Sequence, residues 1–136
     1  MGAAAVLLVG LLINPRPVRM LSTLALPLAV SGLGIAVFHV NLEMTGKLEC
    51  PLGLLNLGTA PQQSLGLFLV VVGVLLGGTW TEPVGRVAKP WTIAGTILLG
   101  SAMAAASVWS APPLPAAPAQ PYAEPLTICR PPYVTD

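Results

Sequence analysis

Charged side chains are scarce in this chain, and they lie in the gaps between long apolar runs. Only 8% of the 136 residues are charged, 54% are hydrophobic and the mean hydropathy is +0.81. A soluble domain carries about 25% charged residues. Formal charge is absent from residues 20–42, 50–81 and 90–123. A bilayer core requires about 20 apolar residues per helix, so this pattern predicts an integral membrane protein.

Other absences exclude several functional classes. The formal net charge is only +1, and we find neither a basic patch with interleaved aromatics nor a phosphate-binding loop, so nucleic acid is not an expected partner. The single histidine, His39, has no nucleophile motif beside it, which argues against a Ser–His–Asp hydrolase. The apolar runs lack the carboxylates and basic groups that transporters use for proton or substrate pathways.

Four apolar segments follow one another, and they predict an all-α polytopic fold with about four transmembrane helices in a domain over residues 1–110. The expected helices are 1–14, 20–40, 60–80 and 90–110. The last three are long enough to span a bilayer at about 1.5 Å per residue. The first is short, and we favour a real but short helix there. A tilted helix in thinned lipid, partial insertion and a start codon placed too late remain open alternatives.

The composition changes after the fourth segment. Residues 111–136 are rich in proline, which cannot continue a helix and favours an extended, partly polyproline II conformation. We therefore expect an extended tail rather than a fifth helix.

The distribution of Lys and Arg predicts the orientation. The connection between the first and second segments contains Arg16 and Arg19. The connection between the third and fourth segments contains Arg86 and Lys89. The positive-inside rule places these two connections in the cytoplasm. Residues 41–59 and 111–136 are then expected to be extracytoplasmic, and we expect the membrane to be the inner membrane of a bacterium.

The two cysteines lie in the two segments predicted to face outside. Cys50 is in the 41–59 connection and Cys129 is in the tail. That side of the membrane is oxidising, and two cysteines allow one intramolecular pairing. We predict a Cys50–Cys129 disulfide that joins the tail to the connection.

Small residues indicate where helices can approach closely. Gly73 and Gly77 lie one turn apart in the third segment, and such spacing permits close helix packing. Gly100 and Ala104 form a similar smooth face on the fourth segment.

A capping box marks the start of the third segment. Thr59 is followed three residues later by Gln62, which predicts Thr59 as the N-cap and a helix that begins near Ala60.

A metal site is one hypothesis for the end of the second segment. His39 and Glu43 are spaced i, i+4 and share a helix face, and Met44 and Cys50 follow. Histidine, methionine and thiolate are copper ligands, and a single His can also ligate one side of a haem. The alternative is a helix end at which His39 bonds a carbonyl or Glu43.

The stretch "FHVNLEMTGKLECPLGLL" resembles the first redox motif of the DsbB family of disulfide-bond formation proteins. Those four-helix membrane proteins pass electrons from periplasmic thiols to quinone, so the resemblance implies thiol–disulfide exchange at Cys50. The chain departs from the family pattern: Gly53 stands where a second cysteine is expected, and two cysteines replace four. A lone pair could exchange with a partner thiol but could not relay electrons between two internal pairs.

The favoured interpretation is a small accessory or structural subunit, without catalysis of its own, that packs on other subunits of a larger membrane complex. The alternatives are a DsbB-like or vitamin K epoxide reductase-like oxidoreductase with a reduced cysteine set, and a copper- or haem-associated membrane protein. The sequence alone does not identify a cofactor.

The orientation can be tested by thiol labelling of intact cells. After reduction, a membrane-impermeant maleimide should label Cys50 and Cys129, because both are expected on the extracytoplasmic side. Lysed cells give the full labelling for comparison. Labelling that requires lysis would reverse the predicted topology.

Overall fold

The computed structural model describes residues 18–54, 57–80, 90–118 and 120–133. Within these ranges the fold is all-α, and the strand-like pairings are isolated bridges. The helices are α1 (Val18–Met44), α2 (Ala60–Trp80) and α3 (Pro90–Trp109). Each is long and apolar enough to cross a membrane. The described part of the chain therefore contains three candidate spans, and the predicted helix over residues 1–14 lies outside it.

The central helix is α1, which packs against both α2 and α3. Helix α2 runs antiparallel to α1, since Leu75 near its end packs with Leu26 while Phe68 lies against Gly32 further along α1. Helix α3 runs parallel to α1. The end of α1, the start of α2 and the end of α3 consequently meet at one end of the bundle.

The core between α1 and α2 is built largely from small side chains. Ala25, Leu26 and Ala29 of α1 are at most 1% exposed, and Leu75 of α2 is 3% exposed. The partly buried residues packed against this cluster are Val30, Val71, Val72 and Leu76. Lipid tails are as apolar as leucine, so helix association in a membrane depends on close van der Waals packing. The small alanine side chains of α1 let the backbones of α1 and α2 approach each other closely.

Glycine and alanine make the contact between α1 and α3. A Cβ atom at Gly100 would lie 2.6 Å from the Pro27 carbonyl oxygen and 2.7 Å from Cβ of Val30. One turn further along, a Cβ at Gly34 would lie 2.7 Å from Cβ of Ala104. The smooth Gly100–Ala104 face expected from the sequence is thus the face that packs α3 onto α1.

The predicted Gly73–Gly77 pair is placed differently. Both glycines are exposed, and a Cβ at either would meet no atom within 4 Å. The packing of the described helices therefore does not use this pair, and its role in assembly stays a prediction.

Two tryptophans mark the ends of α3. Trp91 is 76% exposed and Trp109 is 93% exposed. They are 18 residues apart, which corresponds to about 27 Å along a helix and is close to the ~30 Å hydrocarbon thickness of a bilayer. Exposed tryptophan at both ends of a span is typical of the membrane–water interface.

Helix α1 is longer than the predicted 20–40 because its stop signal lies further along. Gly46 adopts a positive φ of 69°. Its N–H donates to the Glu43 carbonyl at 3.0 Å, and the Lys47 N–H donates to the Leu42 carbonyl at 2.9 Å. These two bonds form a Schellman motif, in which glycine relieves the steric cost of the left-handed conformation.

The α1–α3 contact can be tested with a matched pair of alanine variants. Gly100→Ala should lower the free energy of unfolding in detergent by about 1–3 kcal/mol, because overpacking forces the helices apart. Gly95→Ala on the same helix is the control, since a Cβ there meets nothing within 4 Å. It should be neutral or slightly stabilising. Equal unfolding curves for the two variants would contradict the observed packing.

Candidate functional site

The candidate site is the end of the helix bundle where α1 and α3 end and α2 begins. There the α1–α2 connection and the tail pack together, and we call the described residues 45–54, 57–59 and 120–133 the cap. Only the cap combines a disulfide, backbone pairing and side-chain hydrogen bonds among the residues that the structure describes.

A disulfide joins Cys50 to Cys129, as the sequence predicts, with 4.2 Å between their Cα atoms. Next to it, the Glu49 N–H donates to the Arg130 carbonyl at 2.8 Å, and the Arg130 N–H donates to the Glu49 carbonyl at 3.0 Å. The cysteines therefore form the neighbouring, non-hydrogen-bonded pair of a short antiparallel ladder, in which Cα atoms approach most closely. Cys50 is only 8% exposed.

Residues of the tail also contact one another beside the disulfide. The Arg130 guanidinium lies 3.9 Å from the centroid of the Tyr122 ring, a cation–π contact. One of its N–H groups donates to the Glu124 carbonyl at 3.1 Å, and the Tyr122 hydroxyl donates to the Pro131 carbonyl at 2.9 Å. These contacts give this part of the tail a fixed arrangement against the α1–α2 connection, rather than that of a loose stalk.

The Gln63 side chain organises the rest of the connection. Its Nε2 donates to the carbonyls of Leu54, at 2.6 Å, and Leu57, at 3.1 Å, while its Oε1 accepts from the Leu54 N–H at 2.9 Å. The same amide lies against Gly53, where any Cβ would overlap it. In this fold Gln63 therefore occupies the space that a second cysteine of a C-x-x-C motif would need. Sequence reasoning missed this role, because an adjacent Gln62 already explained the helix start.

A capping box consists of two hydrogen bonds, and one of the two forms at the start of α2. The Thr59 N–H donates to Oε1 of Gln62 at 3.4 Å, and α2 begins at Ala60 as expected. The Thr59 hydroxyl instead donates to the Glu43 carboxylate at 2.8 Å. That bond ties the end of α1 to the start of α2.

The structure does not bring the predicted metal-ligand candidates together. Nδ1 of His39 lies 2.9 Å from the Ile35 carbonyl, Glu43 accepts from Thr59, and Met44 is 80% exposed. Cys50 is in the disulfide. In the described ranges, no group of three or more His, Cys, Asp or Glu side chains could hold a metal ion. The backbone bond of His39 matches the alternative interpretation, a histidine satisfied at a helix end.

Two largely apolar cavities flank the end of α1, and His39 lines both. The first, of about 340 Å³, lies between α1, α3 and the start of the tail, and includes Phe38 and Ser107. The second, of about 410 Å³, lies between α1 and α2 beside Cys129. The lining is mostly hydrocarbon, which suits acyl chains or packed side chains better than a charged ligand.

The chain matches no protein-family model, no curated protein and no solved structure. What the described residues define is a class: a small, all-α membrane protein with three candidate spans and a disulfide-joined loop and tail.

Removing the disulfide should destabilise the cap. The double variant Cys50→Ser with Cys129→Ser should lose ~2–4 kcal/mol of unfolding free energy, because the cross-link restricts the unfolded chain. Chemical unfolding in detergent measures this loss, and proteinase K should then cut the tail more readily. Wild type treated with reductant should behave like the variant. Unchanged stability and unchanged protection of the tail would contradict a structural role.

Proposed function

We propose that this protein is a small accessory subunit that packs on a larger membrane complex, with its cap on the extracytoplasmic side. The outward face of α2 is the surface that carries this proposal. It contains Gly66, Val70, Gly73 and Gly77, all exposed. A Cβ at any of the three glycines would meet no atom of the described residues within 4 Å.

The occupant that suits this face is a transmembrane helix of another subunit. Glycines at 73 and 77 leave a shallow groove into which a second helix backbone can settle, with gains from van der Waals packing and weak Cα–H···O bonds. Lipid gains little from such a groove. Three open glycines that share one face permit the close backbone approach that a partner helix needs.

The location of the cap supports its assignment to the extracytoplasmic side. The disulfide requires an oxidising compartment to persist. In the sequence, the clustered basic residues Arg16, Arg19, Arg86 and Lys89 flank the other ends of the candidate spans, and the positive-inside rule favours the cytoplasm for that side. A cap held by Cys50–Cys129 would give the complex a compact outer surface.

The same purified protein separates this proposal from its alternatives. A thiol–disulfide oxidoreductase would reduce quinone with a dithiol donor and lose that activity in the Cys50→Ser and Cys129→Ser double variant. A metalloprotein would contain stoichiometric copper or haem iron that is lost in His39→Ala. Either result would replace the accessory-subunit proposal.

Leucine substitutions on the α2 face test the proposal directly. Gly73→Leu and Gly77→Leu should each abolish or strongly reduce recovery of partner subunits in mild detergent, because a large side chain separates the helix backbones. Native mass spectrometry of the purified assembly measures this recovery.

Val74→Leu is the control, because Val74 is 69% exposed on the same helix and already has a branched side chain. It should retain the partners. All variants should keep the intact disulfide. Full partner recovery with both glycine variants would show that this face contacts only lipid.

A further inference from the structure

The α1–α2 connection exposes three large apolar side chains next to a membrane span. Leu52 is 67% exposed, Leu54 is 83% exposed and Leu57 is 71% exposed. They belong to the stretch 50–81, which contains no charged residue. Large apolar side chains exposed together in this way mark a surface that contacts protein or membrane.

The connection lies beside α2 rather than beyond its end. Leu52 and Leu54 line a groove together with Gln63 and Leu67 of α2. Leu67 follows Ala60, the first residue of α2, by seven positions, which is about 10 Å along the helix axis. The leucines thus lie alongside the first two turns of a segment that is itself a candidate span.

The backbone of the connection is hydrogen-bonded within itself. The Gly53 N–H donates to the Gly58 carbonyl at 2.9 Å, and the Ala60 N–H donates to the Pro51 carbonyl at 3.1 Å. Gln63 satisfies both polar backbone groups of Leu54 and the carbonyl of Leu57. Such pairing lowers the cost of holding non-helical backbone at the edge of a bilayer, where unpaired polar groups find less water.

We propose that the hairpin formed by the described residues 51–54 and 57–59 is seated in the extracytoplasmic leaflet of the bilayer, with Leu52, Leu54 and Leu57 among the lipid acyl chains. Lipid is the occupant because the hairpin is continuous with the exposed apolar side chains of α2 at Leu67, which a spanning helix presents to the bilayer. The hairpin thereby holds Cys50, and through the disulfide the tail, at the membrane surface.

The lipid-seated face and the glycine face of α2 are distinct. Leu67 and Gly66 are consecutive, so their directions differ by about 100° around the helix. A partner helix on the Gly73–Gly77 face therefore does not compete with the hairpin for space, and the lipid contact can fail independently of the partner; only the choice of leaflet rests on the proposed orientation of the cap.

Site-directed fluorescence in liposomes tests the lipid contact. With the native disulfide intact, Leu54→Cys is labelled with the fluorophore NBD and reconstituted in phosphatidylcholine vesicles. Its emission should be blue-shifted and quenched several-fold more by lipid carrying a shallow nitroxide than by aqueous iodide.

The matched control is Lys47→Cys in the same connection, since Lys47 is an exposed charged residue before the hairpin. Its label should show the reverse preference for iodide. Iodide quenching of the position-54 label equal to that at position 47 would place the hairpin in water. Shielding of position 54 from both quenchers would place it against protein. Each result overturns the proposal.

A second pair of variants tests the backbone requirement. Gln63→Leu removes three hydrogen bonds to the hairpin, so the freed backbone groups should draw the label at position 54 toward water and lower its nitroxide quenching several-fold. Gln62→Leu is the control, because among the described residues Gln62 makes one long bond, at 3.4 Å to the Thr59 N–H, and none to Leu54 or Leu57, so it should leave the quenching at position 54 unchanged. Identical quenching in the two variants would show that Gln63 does not seat the hairpin.

Discussion

The N–H and C=O groups of the backbone impose the dominant constraint on this protein. Its three described helices are candidate membrane spans, and a bilayer core holds no water to pair with these groups. Unpaired N–H and C=O groups in hydrocarbon each cost several kcal/mol. Three helices satisfy the constraint by their own bonds over most of the described chain. The Schellman turn at Gly46 and the amide of Gln63 extend the same solution into the connection between α1 and α2.

Once backbone pairing is satisfied, small residues decide how the helices pack. Helix α1 contacts α2 on one side through Ala25 and Ala29, and it contacts α3 on another side through Gly34. The contact at Gly100 is close enough that even a methyl group would meet the Pro27 carbonyl. Gly66, Gly73 and Gly77 of α2 are open instead, and the face that they share is the one proposed to bind a partner.

The cap converts a loop and a tail that are far apart in sequence into one unit. The disulfide covers a sequence separation of 79 residues. Around it, the Glu49–Arg130 backbone pair and the Arg130–Tyr122 contact fix the tail, while the Thr59–Glu43 bond fixes the helix start. Cys50 is only 8% exposed, which limits the access of an attacking thiolate to its sulfur.

The sequence by itself determined the class of protein, the start of α2 and the cysteine pairing. These followed from local or countable properties: uncharged runs of spanning length, the Thr59–Gln62 cap, and two cysteines with one possible partner each. The end of α1 was expected too early, because apolar content stops near residue 40 while the glycine that ends the helix is Gly46.

Only the tertiary structure decided which small residues are buried and what the loop side chains do. Gly73–Gly77 and Gly100–Ala104 carry similar spacing signals, yet just the second pair meets α1. Spacing along one helix describes a face but not the neighbour it meets. Likewise, the i, i+4 pattern of His39 and Glu43 suggested shared chemistry, whereas long-range geometry paired Glu43 with Thr59 and placed Gln63 over Gly53. Those contacts depend on where the antiparallel helix α2 returns, which no local pattern specifies.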